Sequence, residues 1–192
     1  MPVALAGMLD FCGDVLQISL AEGEPVAVAD ILEEHFGACD LLVADHEIEI
    51  PRLFVSDMDS TMIGQECIDE LADFAGLKDQ VSAITERAMR GELDFPSALA
   101  ERVGLLEGLE ESAIERCLNE RIEPVEGART LVSTLKAKGC RAVLVTGGFH
   151  HFADPVAEML GFERVVGNRL AVADSRLTGA LDGAISDSAT KR

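Results

Sequence analysis

One stretch in the first third of the chain constrains the fold more than any other. Residues 53–61 run Leu-Phe-Val-Ser-Asp-Met-Asp-Ser-Thr, so a short apolar run ends on two aspartates that are two residues apart. An apolar run of this length, bounded by polar residues, predicts a buried strand of a parallel sheet. Open α/β sheets place their chemistry at the carboxyl ends of such strands. We therefore expect Asp57 and Asp59 at a functional edge of an α/β fold.

The two aspartates suggest phosphoryl chemistry. An aspartate at a strand end can act as a nucleophile and form an acyl phosphate, which makes Asp57 a candidate nucleophile. Asp59 can then transfer protons at the leaving oxygen, while Mg²⁺ neutralises phosphate and carboxylates together. The alternative is a strand followed by an ordinary turn, because Asp and Ser both favour turns. Asp-x-Asp-x-Thr directly after an apolar strand is much rarer than Asp-x-Asp alone, which favours the functional interpretation.

The charge of the chain limits its partners. Thirty-five acidic against sixteen basic residues give a formal charge of −19 over 192 residues. Such a field repels nucleic acid and anionic membranes, so we expect neither as a partner. It also repels a phosphorylated substrate, so phosphate binding requires a metal ion and a few well-placed cations.

The remaining composition predicts a soluble cytoplasmic protein. Apolar residues make up 48% of the chain, but no apolar stretch reaches the roughly 18–20 residues that span a bilayer. No basic segment precedes an apolar run at the N-terminus, so no signal peptide is expected. Five scattered cysteines without a Cys-x-x-Cys pair indicate reduced, mostly buried thiols.

Hydrophobic patterning divides the chain into a weakly patterned region, residues 1–50, and an α/β region, residues 51–192. Within the first region we predict a helix from Val26 to Phe36 and strand-like alternation over residues 46–50. In the second region the predicted helices cover 67–75, 78–90, 95–104, 110–121, 126–138 and 151–160. A second buried strand is predicted over 141–146, with Gly147-Gly148 as a loop. A strand and a hairpin follow within 162–185, with turns at 167–168, 174–175 and 182–183.

The order of these elements predicts a parallel α/β sheet with a Rossmann-like core. The helices within residues 65–123 lie between the first and second buried strands, so they form an inserted helical cap. Residues 1–50 are expected to form a small accessory region, to which we assign no function.

The second predicted strand, like the first, ends in residues that could take part in phosphate chemistry. A hydroxyl, Thr146, is followed by Gly147 and Gly148, and backbone N–H groups at a helix N-terminus can hold phosphate oxygens. The alternative is an ordinary strand-to-helix turn with Thr146 as the N-cap. Together with Asp57, the segment favours phosphate binding. Lys191 could supply the cation that bridges nucleophile and phosphate, although most terminal lysines are solvated.

Three motifs in this order resemble the haloacid-dehalogenase-like phosphatases: Asp57-Met-Asp59-Ser-Thr61, Thr146-Gly147-Gly148-Phe149 and Lys191. Within that family the cap is similar to that of the phosphoserine phosphatases. The matching positions are Glu66, 85–91, Phe95, 102–103, 167–170 and 177–179. The resemblance runs from about Leu53 to the end of the chain and does not cover residues 1–50.

The resemblance implies a chemical role for each motif residue. Asp57 attacks phosphorus and becomes a phosphoaspartate, while Asp59 protonates the serine oxygen and then deprotonates the hydrolytic water. The cofactor is Mg²⁺, held by the Asp57 side chain and the Asp59 backbone carbonyl. Thr146, Gly147 and Lys191 hold the phosphate.

The resemblance also implies the substrate, O-phospho-L-serine, which is hydrolysed to L-serine and phosphate in the final step of L-serine biosynthesis. Glu66 and Arg102 recognise its ammonium and carboxylate groups, and Met89 and Phe95 close the apolar side. The charges are complementary, because a guanidinium binds a carboxylate through two hydrogen bonds in a way that an ammonium group cannot. Otherwise Glu66 and Arg102 would be ordinary exposed helix charges.

One part of the family pattern is not found. A fourth motif, Gly-Asp-Gly-x-x-Asp after a strand, would complete the magnesium ligands, and Asp182 and Asp187 do not match it. Mg²⁺ prefers near-octahedral oxygen coordination, so two protein donors predict weak binding. We expect these residues to be part of a longer polypeptide, with the Asp57 strand as an exposed edge, and the 192 residues alone to be inactive or nearly so.

Two other functions stay open. The same chemistry could act on another small phosphate ester or on a phosphotransfer acceptor. The chain could also be a catalytically incomplete protein that binds or regulates. The adjacent His150-His151 could suggest a metal site, but neighbouring helix residues point apart, which favours the surface of a helix N-terminus. The oligomeric state is not predicted.

Overall fold

The computed structural model describes residues 3–9, 12–36, 40–46 and 49–186. The chain divides into two compact units, residues 1–49 and residues 50–192. In the described ranges, none of the helices combines the length and the apolar character that crossing a membrane requires.

The N-terminal unit contains an antiparallel hairpin followed by a helix. Strands β1 (Val3–Leu9) and β2 (Cys12–Leu20) pair with each other, and helix α1 spans Pro25–Phe36, as predicted. The hairpin was not predicted, because β1 is apolar at every position and lacks the period-two alternation of a half-buried strand. The strand-like alternation over 46–50 does not form a strand at His46, Glu49 or Ile50, and residues 47–48 lie outside the described ranges.

The C-terminal unit is built on a parallel sheet of three strands, which confirms the predicted α/β fold. Strands β3 (Leu53–Ser56), β4 (Arg141–Phe149) and β5 (Arg164–Asn168) lie in the order β3-β4-β5. Among the described residues β3 pairs only with β4, so it forms an edge of this sheet, and Leu53 and Val55 are about half exposed.

Five helices separate β3 from β4, and the first four of them form the predicted cap. The cap helices are α2 (Cys67–Phe74), α3 (Lys78–Met89), α4 (Phe95–Gly104) and α5 (Ser112–Arg121). Helices α6 (Ala128–Ala137) and α7 (His150–Leu160) flank β4 along the chain. Gly76 and Gly139, which follow α2 and α6, have φ values of 76° and 84°. Glycine adopts this left-handed conformation without steric cost, so both positions end their helices where the sequence predicted.

Beyond β5 the chain forms a hairpin of β6 (Leu170–Ala173) and β7 (Arg176–Leu181). Asp174 and Ser175 form its turn, with φ values of 50° and 58°, as the turn prediction for these residues requires. The predicted turn at 167–168 is wrong, because both residues belong to β5.

Strand β4 is longer than predicted and includes Gly147, Gly148 and Phe149. Glycine weakens strands, which is why the sequence predicted a loop here. The pair Phe149↔Asn168 extends the contact between β4 and β5 beyond the glycines. Phe149 and Phe152 are both buried in the core that the sheet shares with the helices.

Candidate active site

The carboxyl ends of β3 and β4 open into a cavity of about 350 Å³ between the sheet and the cap. Seven of the predicted site residues line this cavity: Asp57, Asp59, Glu66, Phe95, Arg102, Thr146 and Gly147. Residues from the core strands and from cap helix α4 therefore meet at one place, although up to 90 positions of sequence separate them.

The loop after β3 presents both aspartates to the cavity. Met58, between them, is fully buried, and its carbonyl accepts hydrogen bonds from the backbone N–H groups of Met62 and Ile63. Met58 is thus anchored in the core, while Asp57 and Asp59 on either side of it line the cavity.

The same loop holds the carboxylate of Asp57 in a defined orientation. Its Oδ1 accepts a hydrogen bond of 2.9 Å from the Met58 N–H. The Ser56 hydroxyl donates to the Asp57 carbonyl oxygen, also at 2.9 Å. A side chain held by its own loop loses little conformational freedom when it reacts.

Asp59 lies in a different electrostatic environment from Asp57. The pKa of Asp59 is raised from 3.8 to about 6, mainly by burial and to a smaller extent by the negative charges of Glu66 and Asp57. Hydrogen bonds from Cys67 oppose the shift, and the Cys67 N–H donates to Asp59 Oδ1 at 3.2 Å. A carboxyl group with this pKa can carry a proton at mildly acidic to neutral pH and can therefore act as a proton donor.

Cys67 itself is not a candidate nucleophile. Its side chain is completely buried, and burial together with the nearby Asp59 charge raises the pKa of the thiol far above its usual range. Because the thiolate is the reactive form, this thiol is inert.

Thr146 and the two glycines form the opposite wall of the cavity. Thr146 is buried, and its Oγ1 accepts a hydrogen bond of 2.9 Å from the Gly148 N–H. This leaves the hydroxyl hydrogen of Thr146 for another acceptor. Thr146 is not the N-cap of α7, since that helix begins at His150 and its N-cap is Phe149.

Close contacts explain why glycines occupy positions 147 and 148. A Cβ atom on Gly148 would lie 2.8 Å from Asp59 Oδ2, and one on Gly147 would lie 3.1 Å from the Phe95 ring. Carbon atoms in proteins essentially never approach an oxygen this closely without displacement. Because these two positions carry no side chain, the end of β4 can approach Asp59 and the Phe95 ring closely.

Glu66 and Arg102 bring opposite charges to the cavity. Glu66 is the N-cap residue of α2, and its Oε1 accepts a hydrogen bond of 2.7 Å from the Ser60 hydroxyl. Arg102 lies in the last turn of α4, where its Nε donates to the Ala98 carbonyl at 3.3 Å. Ser60 has a φ of 51°, which is unusual for a residue other than glycine. This conformation is of the kind that clusters at functional sites.

Among the described residues, one predicted site residue, Met89, does not line the cavity. Met89 ends α3 with 84% of its surface exposed. Lys191 lies outside the described residues, so its role stays a prediction. The histidine pair begins α7, as predicted, and His150 Nδ1 lies 2.8 Å from Asp154 Oδ1. Across the described ranges, no group of three or more His, Cys, Asp or Glu side chains could hold a metal ion.

The sequence did not single out Ser60 or Asn168 as site residues. In the sequence Ser60 is only a part of the Asp-x-Asp-Ser-Thr motif, but in the structure its hydroxyl donates a hydrogen bond to the Glu66 carboxylate. Asn168 is buried and donates through Nδ2 to the Gly147 carbonyl at 2.8 Å. A buried asparagine is uncommon and requires hydrogen-bond partners, but nothing in the sequence shows that Asn168 is buried.

Comparison with known proteins gives consistent matches. The family described as haloacid dehalogenase-like hydrolase matches residues 54–191. The chain is 49% identical over 140 residues to a phosphoserine phosphatase of Archaeoglobus fulgidus, covering 73% of this chain and 40% of that protein. It is 35% identical over 185 residues to the phosphoserine phosphatase of Saccharomyces cerevisiae, covering 95% of this chain and 59% of that protein.

Solved structures show the same likeness. A phosphoserine phosphatase with a phospho-aspartyl intermediate analogue superposes with a TM-score of 0.64 at 38% identity, covering 70% of this chain and 64% of that one. A substrate-bound phosphoserine phosphatase complex gives a TM-score of 0.65 at 38% identity, covering 71% and 64%. The chain thus spans roughly two fifths to two thirds of the length of the proteins it resembles.

Proposed function

Because the chain belongs to the haloacid dehalogenase-like hydrolase family, we propose that it forms the catalytic part of a phosphoserine phosphatase. The reaction is the hydrolysis of O-phospho-L-serine to L-serine and phosphate, as the last step of L-serine biosynthesis in the cytoplasm. One observation carries the proposal: a strand-end carboxylate, Asp57, shares a cavity with the opposite charges of Glu66 and Arg102.

Asp57 and Asp59 divide the chemistry between them. A carboxylate oxygen of Asp57 attacks phosphorus and forms an O–P bond, while the bond from phosphorus to the serine oxygen breaks. Asp59 donates its proton to that serine oxygen. A water molecule then attacks the phosphoaspartate, Asp59 accepts its proton, and the Asp57 carboxylate and phosphate are released. Burial raises the pKa of Asp59, which supports its role as the proton donor.

The phosphate group is held on the opposite wall. The Thr146 hydroxyl and the Gly147 backbone N–H would be the neutral donors to the phosphate, because the Gly148 N–H already donates to Thr146 Oγ1. The two glycines leave the space in which the phosphate can approach these donors closely. Because the chain as a whole is acidic, the phosphate must be stabilised locally, and backbone and hydroxyl dipoles supply part of that stabilisation. By its resemblance to the family motif, Lys191 adds the cationic contact.

The amino-acid part of the substrate is a zwitterion and needs two opposite charges. Glu66 would bind the ammonium group and Arg102 the carboxylate, while the ring of Phe95 covers the apolar side. Ser60 orients Glu66 through the hydrogen bond between their side chains. A volume of about 350 Å³ suits a small polar metabolite.

The donors near Asp57 fit Mg²⁺ in kind. The carboxylate of Asp57 and the backbone carbonyl of Asp59 are hard oxygen ligands, which this ion prefers. When bound there, Mg²⁺ would neutralise charge on the phosphate and on the nucleophile.

The proposal is tested by trapping the phosphoenzyme. The full-length protein is mixed with labelled O-phospho-L-serine, quenched in acid and assayed for a hydroxylamine-labile phosphoprotein. Asp57→Asn should abolish both the trapped label and turnover. Asp79→Asn makes the same chemical change at an exposed position in the first turn of α3, and should leave both intact. Normal turnover by Asp57→Asn would refute the mechanism.

A second experiment tests the substrate. Hydrolysis rates for phosphoserine, phosphothreonine and sugar phosphates are compared in the parent, Glu66→Gln and Arg102→Ala proteins. We expect both substitutions to reduce turnover of phosphoserine far more than that of a sugar phosphate. Met89 is exposed, which favours the alternative that the substrate is another small phosphate ester. Equal effects of the two substitutions on all substrates would support this alternative.

A further inference from the structure

The carboxamide of Asn168 joins two segments that are distant in sequence. Its Nδ2 donates both to the Gly147 carbonyl at 2.8 Å and to the Ser186 carbonyl at 3.2 Å. Its Oδ1 accepts from the Ser186 N–H at 2.7 Å. The residue is only 2% exposed, so these bonds form where water does not compete.

The need for this side chain follows from the register of the sheet. Val145 pairs with Val166, but the next pair is Phe149 with Asn168. Four steps along β4 therefore match only two along β5, and the segment from Thr146 to Gly148 bulges away from its partner strand. A bulge leaves backbone groups without ladder partners. The Asn168 side chain replaces the missing partner of the Gly147 carbonyl.

Gly167 makes room for the bulge. A Cβ atom there would lie 3.2 Å from Thr146 Cγ2 and 3.3 Å from the Gly148 carbonyl oxygen. These are tighter contacts than side chains ordinarily tolerate. Gly167 therefore leaves the space that the bulge occupies, and the Asn168 side chain binds the bulge through a hydrogen bond.

The second partner of Asn168 is the backbone of Ser186. The carboxamide bonds both the N–H and the carbonyl of Ser186, much as a neighbouring strand would. The Ser186 hydroxyl adds a contact of 3.4 Å to the Gly167 carbonyl.

We propose that Asn168 is a positioning residue for phosphate binding. It holds the bulge from Thr146 to Gly148 in the shape that binds phosphate, and it binds the backbone of Ser186 beside that bulge. The inference rests on the proposed function, because it assigns phosphate to this loop. A purely structural role would instead stabilise the sheet without affecting phosphate binding more than L-serine binding.

The test compares the two halves of the substrate in the full-length protein. Asn168→Ala removes all three bonds of the carboxamide. Ser186→Pro removes one of them from the other side, because proline has no N–H, together with the hydroxyl contact to the Gly167 carbonyl, and leaves the sequence of β5 unchanged. The control is Thr178→Val, which deletes a hydrogen bond of 3.2 Å to the Ala171 carbonyl in the adjacent hairpin. Each protein is titrated directly with inorganic phosphate and with L-serine, and its melting temperature is measured.

We expect Asn168→Ala to weaken phosphate binding at least tenfold while L-serine binding stays within twofold. Ser186→Pro should shift phosphate binding in the same direction by about threefold, and it decides the matter if Asn168→Ala does not fold. Thr178→Val should lower the melting temperature without changing either affinity. A lower melting temperature with unchanged phosphate binding, or equal losses for both ligands, would overturn the proposal.

The outcome is independent of whether phosphoserine is the substrate. If the unsubstituted protein fails to hydrolyse phosphoserine, the proposed function is wrong. The titrations with inorganic phosphate still decide the role of Asn168, because they require no turnover.

Discussion

Replacing Gly148 by alanine perturbs the active site through a single methyl group. The new Cβ would lie 2.8 Å from Asp59 Oδ2, 3.2 Å from Met58 Cε and 3.2 Å from Thr146 Oγ1. Met58 is buried in the core and Thr146 accepts the Gly148 N–H, so neither neighbour can move freely. The carboxyl group of Asp59 must therefore give way.

The distances set the size of the effect. Ordinary van der Waals contacts of a Cβ begin near 3.4 Å, so the Asp59 oxygen must retreat by about 0.6 Å. Its other oxygen is bonded to the Cys67 N–H, which resists this movement. Misplacing a reacting group by about 1 Å can cost about 100-fold in rate. We therefore expect kcat to fall by between about tenfold and about 100-fold.

Two other glycines provide matched controls for the same substitution. Gly147→Ala places its Cβ 3.1 Å from the end of the Phe95 ring, which is partly exposed and can turn aside, so we expect a smaller loss. Gly64→Ala, a few residues after the Asp59 loop, meets nothing within 4 Å and should be neutral. Stability should fall by about 1–3 kcal/mol for Gly148→Ala, as for other overpacked sites.

The assay is steady-state hydrolysis of phosphoserine by the full-length protein, with urea unfolding measured in parallel. The order of kcat should be Gly64→Ala, then Gly147→Ala, then Gly148→Ala, from highest to lowest. If Gly148→Ala retained the parental kcat while folded, the close approach of the two segments would not matter for catalysis, and the reasoning would fail.

Three further predictions concern stability and specificity. In the presence of a chelator, Asp59→Asn should stabilise the fold by about 3 kcal/mol at pH 8, because a folded pKa of about 6 instead of 3.8 makes ionisation costly. This difference in the free energy of unfolding between the variant and the parent should shrink as the pH falls below 6 and approach zero at about pH 4. A difference that stayed the same at every pH in urea unfolding would contradict this. Ser60→Ala should raise KM for phosphoserine with little change in kcat, since it frees Glu66; a loss confined to kcat would count against it. Arg121→Ala should lower the melting temperature only slightly, and less still in high salt, because solvent and salt screen its ion pair with Asp73.

The helical cap and the parallel strands could be predicted because their signals are local. Apolar residues at helical spacing mark each cap helix, and Gly76 and Gly139 end two helices at the expected positions. The hairpin of β1 and β2 could not be predicted, since an apolar run without alternation does not distinguish a strand from other buried segments.

The sequence by itself determined which chemical groups are available: two aspartates after an apolar strand, a hydroxyl before two glycines, and an acid and an arginine in the cap. Their spacing is local, so it can be seen without coordinates. Only the tertiary structure decided that Asp59 is buried enough to hold a proton, and that the glycine segment continues β4 as a bulge bound by Asn168. Burial and register depend on segments that lie far apart in the chain, and such contacts leave no periodic signal in the sequence.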